Sequence, residues 1–276
     1  MYTQLQMRDS TRPSVSLSTL ERMKADGEKI ACLTCYDASF AVLVDEADTD
    51  VVLVGDSLGM VIQGHDTTVP VTMDDMVYHC KSVARGLHRP LLMADLPFAS
   101  YPTREVALAN AVRLMQEGGA RMVKLESGSA QVDIVGFLAH HDIAVCAHLG
   151  LRPQSVHKTG GFRVQGREQA AAERMLEEAQ ALEAAGADLL LLECIPSELG
   201  KRVTEAVSVP VIGIGAGPDT DGQILVLYDI LDLTLGRKPR FVRNFMEGAG
   251  NPGAAIAADV NAVHDRSYPA PEHGFQ

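Results

Sequence analysis

Short apolar runs separated by stretches of helical period dominate the chain. Runs of strand length cover residues 30–34, 51–54, 91–94, 122–125, 143–147, 189–192 and 211–214, with an eighth candidate at 224–230. Between most of them the period lengthens to that of a helix. Within 103–116, Leu108, Ala111, Val112 and Met115 fall at i, i+3, i+4 and i+7, and Gly118-Gly119 ends the run. Within 168–185, Ala172, Met175, Ala179 and Leu182 form one apolar stripe against Glu and Gln, and Gly186 ends it. Residues 17–27 read as a shorter leading helix, with Ser18 or Thr19 as N-cap and Gly27 as the stop. Two helix-turn-strand units echo each other as Gly-Ala-x-x-x-x-Leu-Glu, at 119–126 and 186–193.

About eight strands alternating with helices over ~250 residues predict a (β/α)8 TIM barrel with an N-terminal helix, against an open doubly wound sheet as competitor. The strand ends favour the barrel. Val51-Val-Leu-Val54 runs into Gly55-Asp56-Ser57, and later runs end on Asp95, Glu126, His148 and Glu193. An open sheet gathers its ligands at one crevice, whereas five consecutive polar strand ends suit a closed barrel with a central mouth. Side chains alternate along a strand. Read backwards, Asp56 shares a face with Val54 and Val52, Asp95 with Met93 and Leu91, Glu126 with Lys124 and Met122, Glu193 with Leu191 and Leu189, and His148 with Cys146 and Ala144. Residues 1–276 read as a single barrel domain, with a polar leader at 1–16 and a tail at 268–276 that frays or packs on a neighbour.

Composition narrows the function classes. The chain has 276 residues, 46% of them hydrophobic, enough for a sizeable core. A net charge of −12 without any Lys/Arg-rich run disfavours nucleic acid and anionic membrane surfaces as partners. An anionic substrate therefore needs a local cation, from a metal or a placed lysine. No apolar run approaches the ~18 residues that span a bilayer, and the leader lacks the apolar stretch of a signal peptide, so a cytoplasmic location is expected. Five cysteines, mostly in or beside apolar runs, argue against a disulfide framework.

Asp56 and Asp95 end consecutive strands, ~4.8 Å apart if those strands are neighbours, close enough for both to reach one cation. The structural alternative, a turn aspartate and one placed by Pro97, has about even weight for either residue alone and weakens with Glu126 beside them. Three oxygen donors select a hard ion, Mg²⁺ rather than Zn²⁺. Lys124 interrupts an apolar strand; buried, it needs Glu126 or a substrate carboxylate as partner. Glu193 follows four leucines, where burial raises a carboxyl pKa towards that of a general base. His148 either meets a substrate or is a satisfied core histidine.

Weaker signals are set aside. Cys32-x-x-Cys35 has a redox or zinc spacing, but the two thiols point to opposite faces of a strand. Gly213-Ile-Gly-Ala-Gly217 lacks the dinucleotide spacing and is left as a backbone nest or a place of close ligand approach. His140-His141 falls on a solvated helix end.

Taken together, Val54-Gly-Asp-Ser-Leu-Gly-Met60, Gln63-Gly-His-Asp-Thr-Thr68, Ala94-Asp-Leu-Pro-Phe98, Val123-Lys-Leu-Glu126, His148-Leu-Gly150 with Pro153-Gln-Ser155, Gly160-Gly161 with Val164-Gln-Gly166, Leu192-Glu-Cys194 and Val211-Ile-Gly-Ile-Gly-Ala-Gly217 resemble the ketopantoate hydroxymethyltransferase family. The order and spacing hold from about Cys32 to Phe245. The resemblance implies a barrel of the phosphoenolpyruvate/pyruvate type that transfers a hydroxymethyl group from 5,10-methylenetetrahydrofolate to 3-methyl-2-oxobutanoate in pantothenate synthesis. It further implies Mg²⁺ on Asp56, Asp95 and Glu126, substrate contacts from Ser57, Asp95 and Lys124, Glu193 as proton acceptor, and a homodecamer. The alternatives are another Mg²⁺-dependent 2-oxo acid lyase or mutase on the same barrel, and a non-catalytic metabolite sensor.

Overall fold

A computed structural model describes residues 12–276; most of the expected polar leader lies outside the described residues. Eight parallel strands, β1 (Ile30–Thr34), β2 (Val51–Val54), β3 (Leu91–Asp95), β4 (Met122–Glu126), β5 (Val145–Gly150), β6 (Leu189–Glu193), β7 (Val211–Ile214) and β8 (Gly222–Leu225), close in sequence order into a barrel. Helices α1 (Leu17–Asp26), α2 (Ala38–Glu46), α3 (Leu58–Val61), α4 (Met73–Ala84), α5 (Arg104–Gln116), α6 (Val132–His140), α7 (Val156–Thr159), α8 (Gln169–Ala185), α9 (Ser197–Ala206), α10 (Leu227–Ile230) and α11 (Pro252–His264) flank and connect the strands. None is long and apolar enough to cross a membrane.

Strand alternation divides the apolar residues into two cores. Ile30, Cys32, Val51, Leu53, Leu91, Met93, Met122, Cys146, Leu189, Leu191, Ile212 and Ile224 fill the barrel interior. Val15 and two residues of α1, Leu20 and Met23, belong to the same cluster, so the leading helix packs with the inner layer. The outward rows, such as Val52 and Val54 of β2 or Leu190 and Leu192 of β6, pack against the helices. On α8 the buried positions are Ala172, Met175, Ala179 and Leu182, as the stripe predicts. On α5 they are Ala107, Ala111 and Leu114, with Leu108, Val112 and Met115 at the edge of the buried face.

Several local expectations are corrected. The N-cap of α1 is Ser16, in a capping box with Thr19, rather than Ser18 or Thr19. The eighth strand stops at Leu225, and the apolar continuation turns into α10, whose first amide donates to Thr34 Oγ1 at 2.9 Å. The tail makes contacts within its own chain: Phe275 pairs its backbone with Pro196 and Ser197, and Tyr268 donates to the Phe241 carbonyl. Cys32 and Cys35 lie in the inner and outer cores respectively, and all five cysteines are buried and free.

Candidate active site

The carboxyl ends of the strands open into one cavity of about 900 Å³, lined by Asp56, Ser57, Asp95, Lys124, Glu126, His148 and Glu193 together. All seven sequence-derived candidates therefore meet in one place. Their arrangement follows from the strand register. Pairing of Asp95 with Lys124, Glu126 with His148, and Gly150 with Glu193 steps the polar groups around the rim of β3 to β6.

Asp56 reaches the cavity by a different route from the one alternation predicts. Val52 and Val54 face the helices, so continued alternation would carry Asp56 outward. Instead β2 ends at Val54 and the chain turns through Gly55, bringing the Asp56 amide to donate to Asp95 Oδ2 at 3.0 Å. A Cβ on Gly55 would stand 2.8 Å from Ser57 Oγ, so the turn admits only glycine without a shift. Ser57 Oγ lies 2.8 Å from the hydroxyl of Tyr36, a residue without a signal in the sequence.

Lys124 is 5% exposed, and its ammonium donates to Asp95 Oδ1, not to Glu126. Burial opposes its charge, but the attraction of Asp95 and Asp56 and the hydrogen bond to Asp95 outweigh that and hold its pKa above the usual lysine value. The remaining acids have too little positive charge around them. Burial, reinforced by repulsion from Asp95, pushes Asp56 up to about 7; burial carries Glu126 to about 9 and Glu193 to about 8. Lys124 pulls all three back down.

His148 is not a satisfied core histidine. It is buried, neither ring nitrogen makes a well-aligned hydrogen bond among the described residues although the Leu151 backbone lies within reach, and Nε2 lies 3.3 Å from Glu193 Oε2. Burial, with repulsion from Lys124, keeps its pKa well below the usual imidazole value, so the ring is neutral and has a free N–H to offer.

Sequence reading missed Gln154, which ties the acids together. Its backbone N–H donates to Glu126 Oε1 at 2.8 Å, and its side-chain amide donates to Asp56 Oδ2 at 2.8 Å and to the Leu96 carbonyl at 3.0 Å. Its oxygen accepts from Tyr101 at 2.5 Å. Gln154→Leu would leave those buried partners unpaired, at about 1–3 kcal/mol for each group. The expected result is a loss of about 2–4 kcal/mol in denaturant unfolding at unchanged m-value; a midpoint equal to wild type would show that Gln154 does not hold the acids.

The donor set fits a hard divalent cation. Asp56 and Asp95 offer only oxygens, and the buried negative surplus is what a cation would offset. Among the described residues no three His, Cys, Asp or Glu side chains are already gathered at metal-binding spacing. In the glycine run at 213–217 a Cβ on Gly215 would meet the rings of Phe241 and Phe275, and one on Gly217 would meet Ser197, so the chain packs closely there.

A family model described as ketopantoate hydroxymethyltransferase matches residues 14–271. The 3-methyl-2-oxobutanoate hydroxymethyltransferase of Alkalilimnicola ehrlichii is 61% identical over 96% of both chains, and that of a Marinomonas species is 55% identical over the full length of both. Among solved structures, a putative phosphonomutase from Burkholderia cenocepacia superposes with a TM-score of 0.60 at 18% identity, over 78% of this chain and 94% of its own. Phosphonopyruvate hydrolase in complex with oxalate and Mg²⁺ gives 0.57 at 14% identity, over 77% and 80%. The same fold is seen in 2,3-dimethylmalate lyase, a member of the PEP mutase/isocitrate lyase superfamily, at a TM-score of 0.57 and 16% identity over 78% and 81%.

Proposed function

The chain belongs to the ketopantoate hydroxymethyltransferase family and transfers a hydroxymethyl group to 3-methyl-2-oxobutanoate in pantothenate biosynthesis; we propose that it does so with Mg²⁺ at Asp56 and Asp95 and 5,10-methylenetetrahydrofolate as donor. The observation that carries this reading is the buried floor, where four carboxylates face one ammonium and two of them are joined through the Asp56 amide. Of the readings open in the sequence, the transferase is the one its relatives carry.

Asp56 and Asp95 would hold the ion, with Glu126 completing the acidic surround. The chemistry that bound Mg²⁺ supplies is Lewis-acid withdrawal of charge from the 2-oxo group, which acidifies the C3–H bond. Lys124 and Ser57 hold the substrate carboxylate end, and neutral His148 donates its free N–H to a substrate oxygen. Glu193 accepts the C3 proton onto its carboxylate. Water cleaves the two C–N bonds of the donor, its hydrogens going to the two nitrogens as tetrahydrofolate leaves and its oxygen staying on the one-carbon unit as a carbonyl; the C3 electron pair then bonds to that carbon while its C=O π pair takes up the proton that left C3. The apolar inner layer beneath the floor keeps bulk water from the reacting carbon. Cytoplasmic action and homodecameric assembly belong to the same reading, and five reduced, buried thiols are in keeping with a reducing compartment.

The test is to incubate the protein with 3-methyl-2-oxobutanoate and Mg²⁺ in D₂O and to follow C3 by NMR. Exchange is expected without folate and product on adding tetrahydrofolate with formaldehyde, both lost on chelation of the metal. Absence of both exchange and product would overturn the reading.

A further inference from the structure

Ser57 turns its hydroxyl away from the task its position suggests. It stands at the N-cap of α3, where a serine ordinarily accepts from a backbone amide of the first turn, yet it makes no side-chain cap bond. Its Oγ lies instead 2.8 Å from the phenol oxygen of Tyr36. Ser57 lines the cavity, whereas Tyr36, 1% exposed, does not. The phenol can therefore reach a substrate only through the serine.

Tyr36 is held for this contact on several sides. Its ring stands edge-on to Tyr228 of α10, with centroids 5.8 Å apart, and its carbonyl accepts from His79 Nδ1 at 2.7 Å. The Thr34 hydroxyl lies within hydrogen-bonding reach of the phenol. That contact gives the hydroxyls a direction. The Leu227 amide can only donate, and it donates to Thr34 Oγ1 at 2.9 Å. Thr34 O–H is then left to point at the Tyr36 oxygen, Tyr36 O–H at Ser57 Oγ, and Ser57 O–H into the cavity. Hydroxyls aligned in this way polarise one another, so the last O–H of the row is a stronger donor than a lone serine. A carboxylate, which only accepts, suits the open end.

We propose that Tyr36 is a positioning residue for the substrate: through the row from the Leu227 amide to Thr34, Tyr36 and Ser57 it aims the Ser57 O–H at the carboxylate of the 2-oxo acid. The inference rests on the reading above that Ser57 meets that carboxylate, and adds to it the residues that orient the serine. Lys124 supplies charge at the same end, but an ammonium is a point charge with rotatable donors, so direction falls to the hydroxyl row. Tyr36 touches neither the substrate nor the reacting carbon. Its loss therefore acts on binding more than on proton transfer.

The experiment is a double-mutant cycle on Tyr36→Phe and Ser57→Ala in the Mg²⁺-loaded protein. It is read by calorimetric Kd for 3-methyl-2-oxobutanoate and by KM and kcat of C3 exchange in D₂O without folate. Ser57→Ala is expected to weaken binding about twentyfold, the scale of a hydrogen bond to a charged group. Tyr36→Phe keeps the ring and its packing on Tyr228, and should weaken binding about fivefold with exchange kcat within about twofold of wild type. In the Ser57→Ala background the same change should cost less than about twofold, because no hydroxyl is left to aim. Thr34→Val breaks the row one link earlier and should raise Kd about threefold, again without effect on top of Ser57→Ala. It carries the test if Tyr36→Phe fails to fold. Tyr36→Phe binding as wild type, or costing as much with Ser57→Ala as without it, overturns the proposal. Ser57→Ala binding as wild type would remove the carboxylate contact itself, and the proposal with it. Absence of exchange in wild type would count against the catalytic reading, while the calorimetric cycle would still decide Tyr36.

Discussion

Replacing Lys124 with Met is expected to lower kcat/KM for 3-methyl-2-oxobutanoate by about three orders of magnitude at neutral pH, the scale of losing a preorganised electrostatic partner. Two effects act together. The substrate loses the one ammonium at the floor, and Asp56, Glu126 and Glu193 each lose the charge that pulls their pKa down. Glu193 already stands at about 8 with Lys124 in place, so without it the base is protonated at pH 7 and its inflection moves higher. Removing one member of a buried pair also leaves Asp95 without its partner, a cost of about 3–5 kcal/mol if the carboxylate stays ionised. C3 exchange in D₂O across pH 6 to 10 checks this: the variant should recover part of its rate on the alkaline side. Exchange at pH 7 within about tenfold of wild type would show that Lys124 is a structural counter-ion only.

The strand ends were legible because a parallel barrel puts every carboxyl end on one face, so a polar residue closing an apolar run has few other places to go. Asp95, Glu126, His148 and Glu193 follow that rule, and Lys124 reaches the same face two residues before Glu126. Parity failed at Asp56 because the strand ends two residues before it, and a turn at Gly55 resets which way the side chain points. Of the two partners open for Lys124, Glu126 or a substrate carboxylate, the first gives way to Asp95 for a related reason. Glu126 shares its face along the strand, but the neighbouring strand brings Asp95 level with it, and cross-strand distance is set by register that one strand does not encode. Gln154 lies in a short 3₁₀ turn beyond β5 with no periodic signal around it, although both of its amide faces are used. The basic residues around the mouth were not read as one group because they fall in two loops far apart in sequence, Arg163 with Arg167 and Arg237-Lys238 with Arg240, and only closure of the barrel brings the two loops around one opening.

Glu193→Gln separates proton transfer from binding more cleanly than any other change at the floor. The amide keeps the size and packing of the carboxyl, whose side chain is 16% exposed, but cannot accept the C3 proton. Loss of a general base costs about 10²–10⁴ in rate, so C3 exchange and product formation should fall together by that factor while the KM for the acid changes little. If exchange continues at the wild-type rate while product is lost, Glu193 serves the folate half of the reaction instead. The pH profile gives a second readout. Glu193 must be ionised to act, so wild-type kcat/KM should rise through an inflection near or below pH 8, bound cation drawing it down, and the Gln variant should lack that limb. Stability gives a third, with the opposite slope. A carboxyl whose folded pKa of about 8 exceeds its unfolded value of about 4.3 binds more protons folded than unfolded between those limits. It therefore makes the fold less stable as pH rises through that window, by up to about 1.4 kcal/mol per unit. Without the titrating group, the Gln variant should gain on wild type steadily from pH 5 to pH 8 in the metal-free protein. Parallel stability curves would mean that the floor is wet enough to keep Glu193 ionised, and with it would go the physical basis for a base tuned by burial.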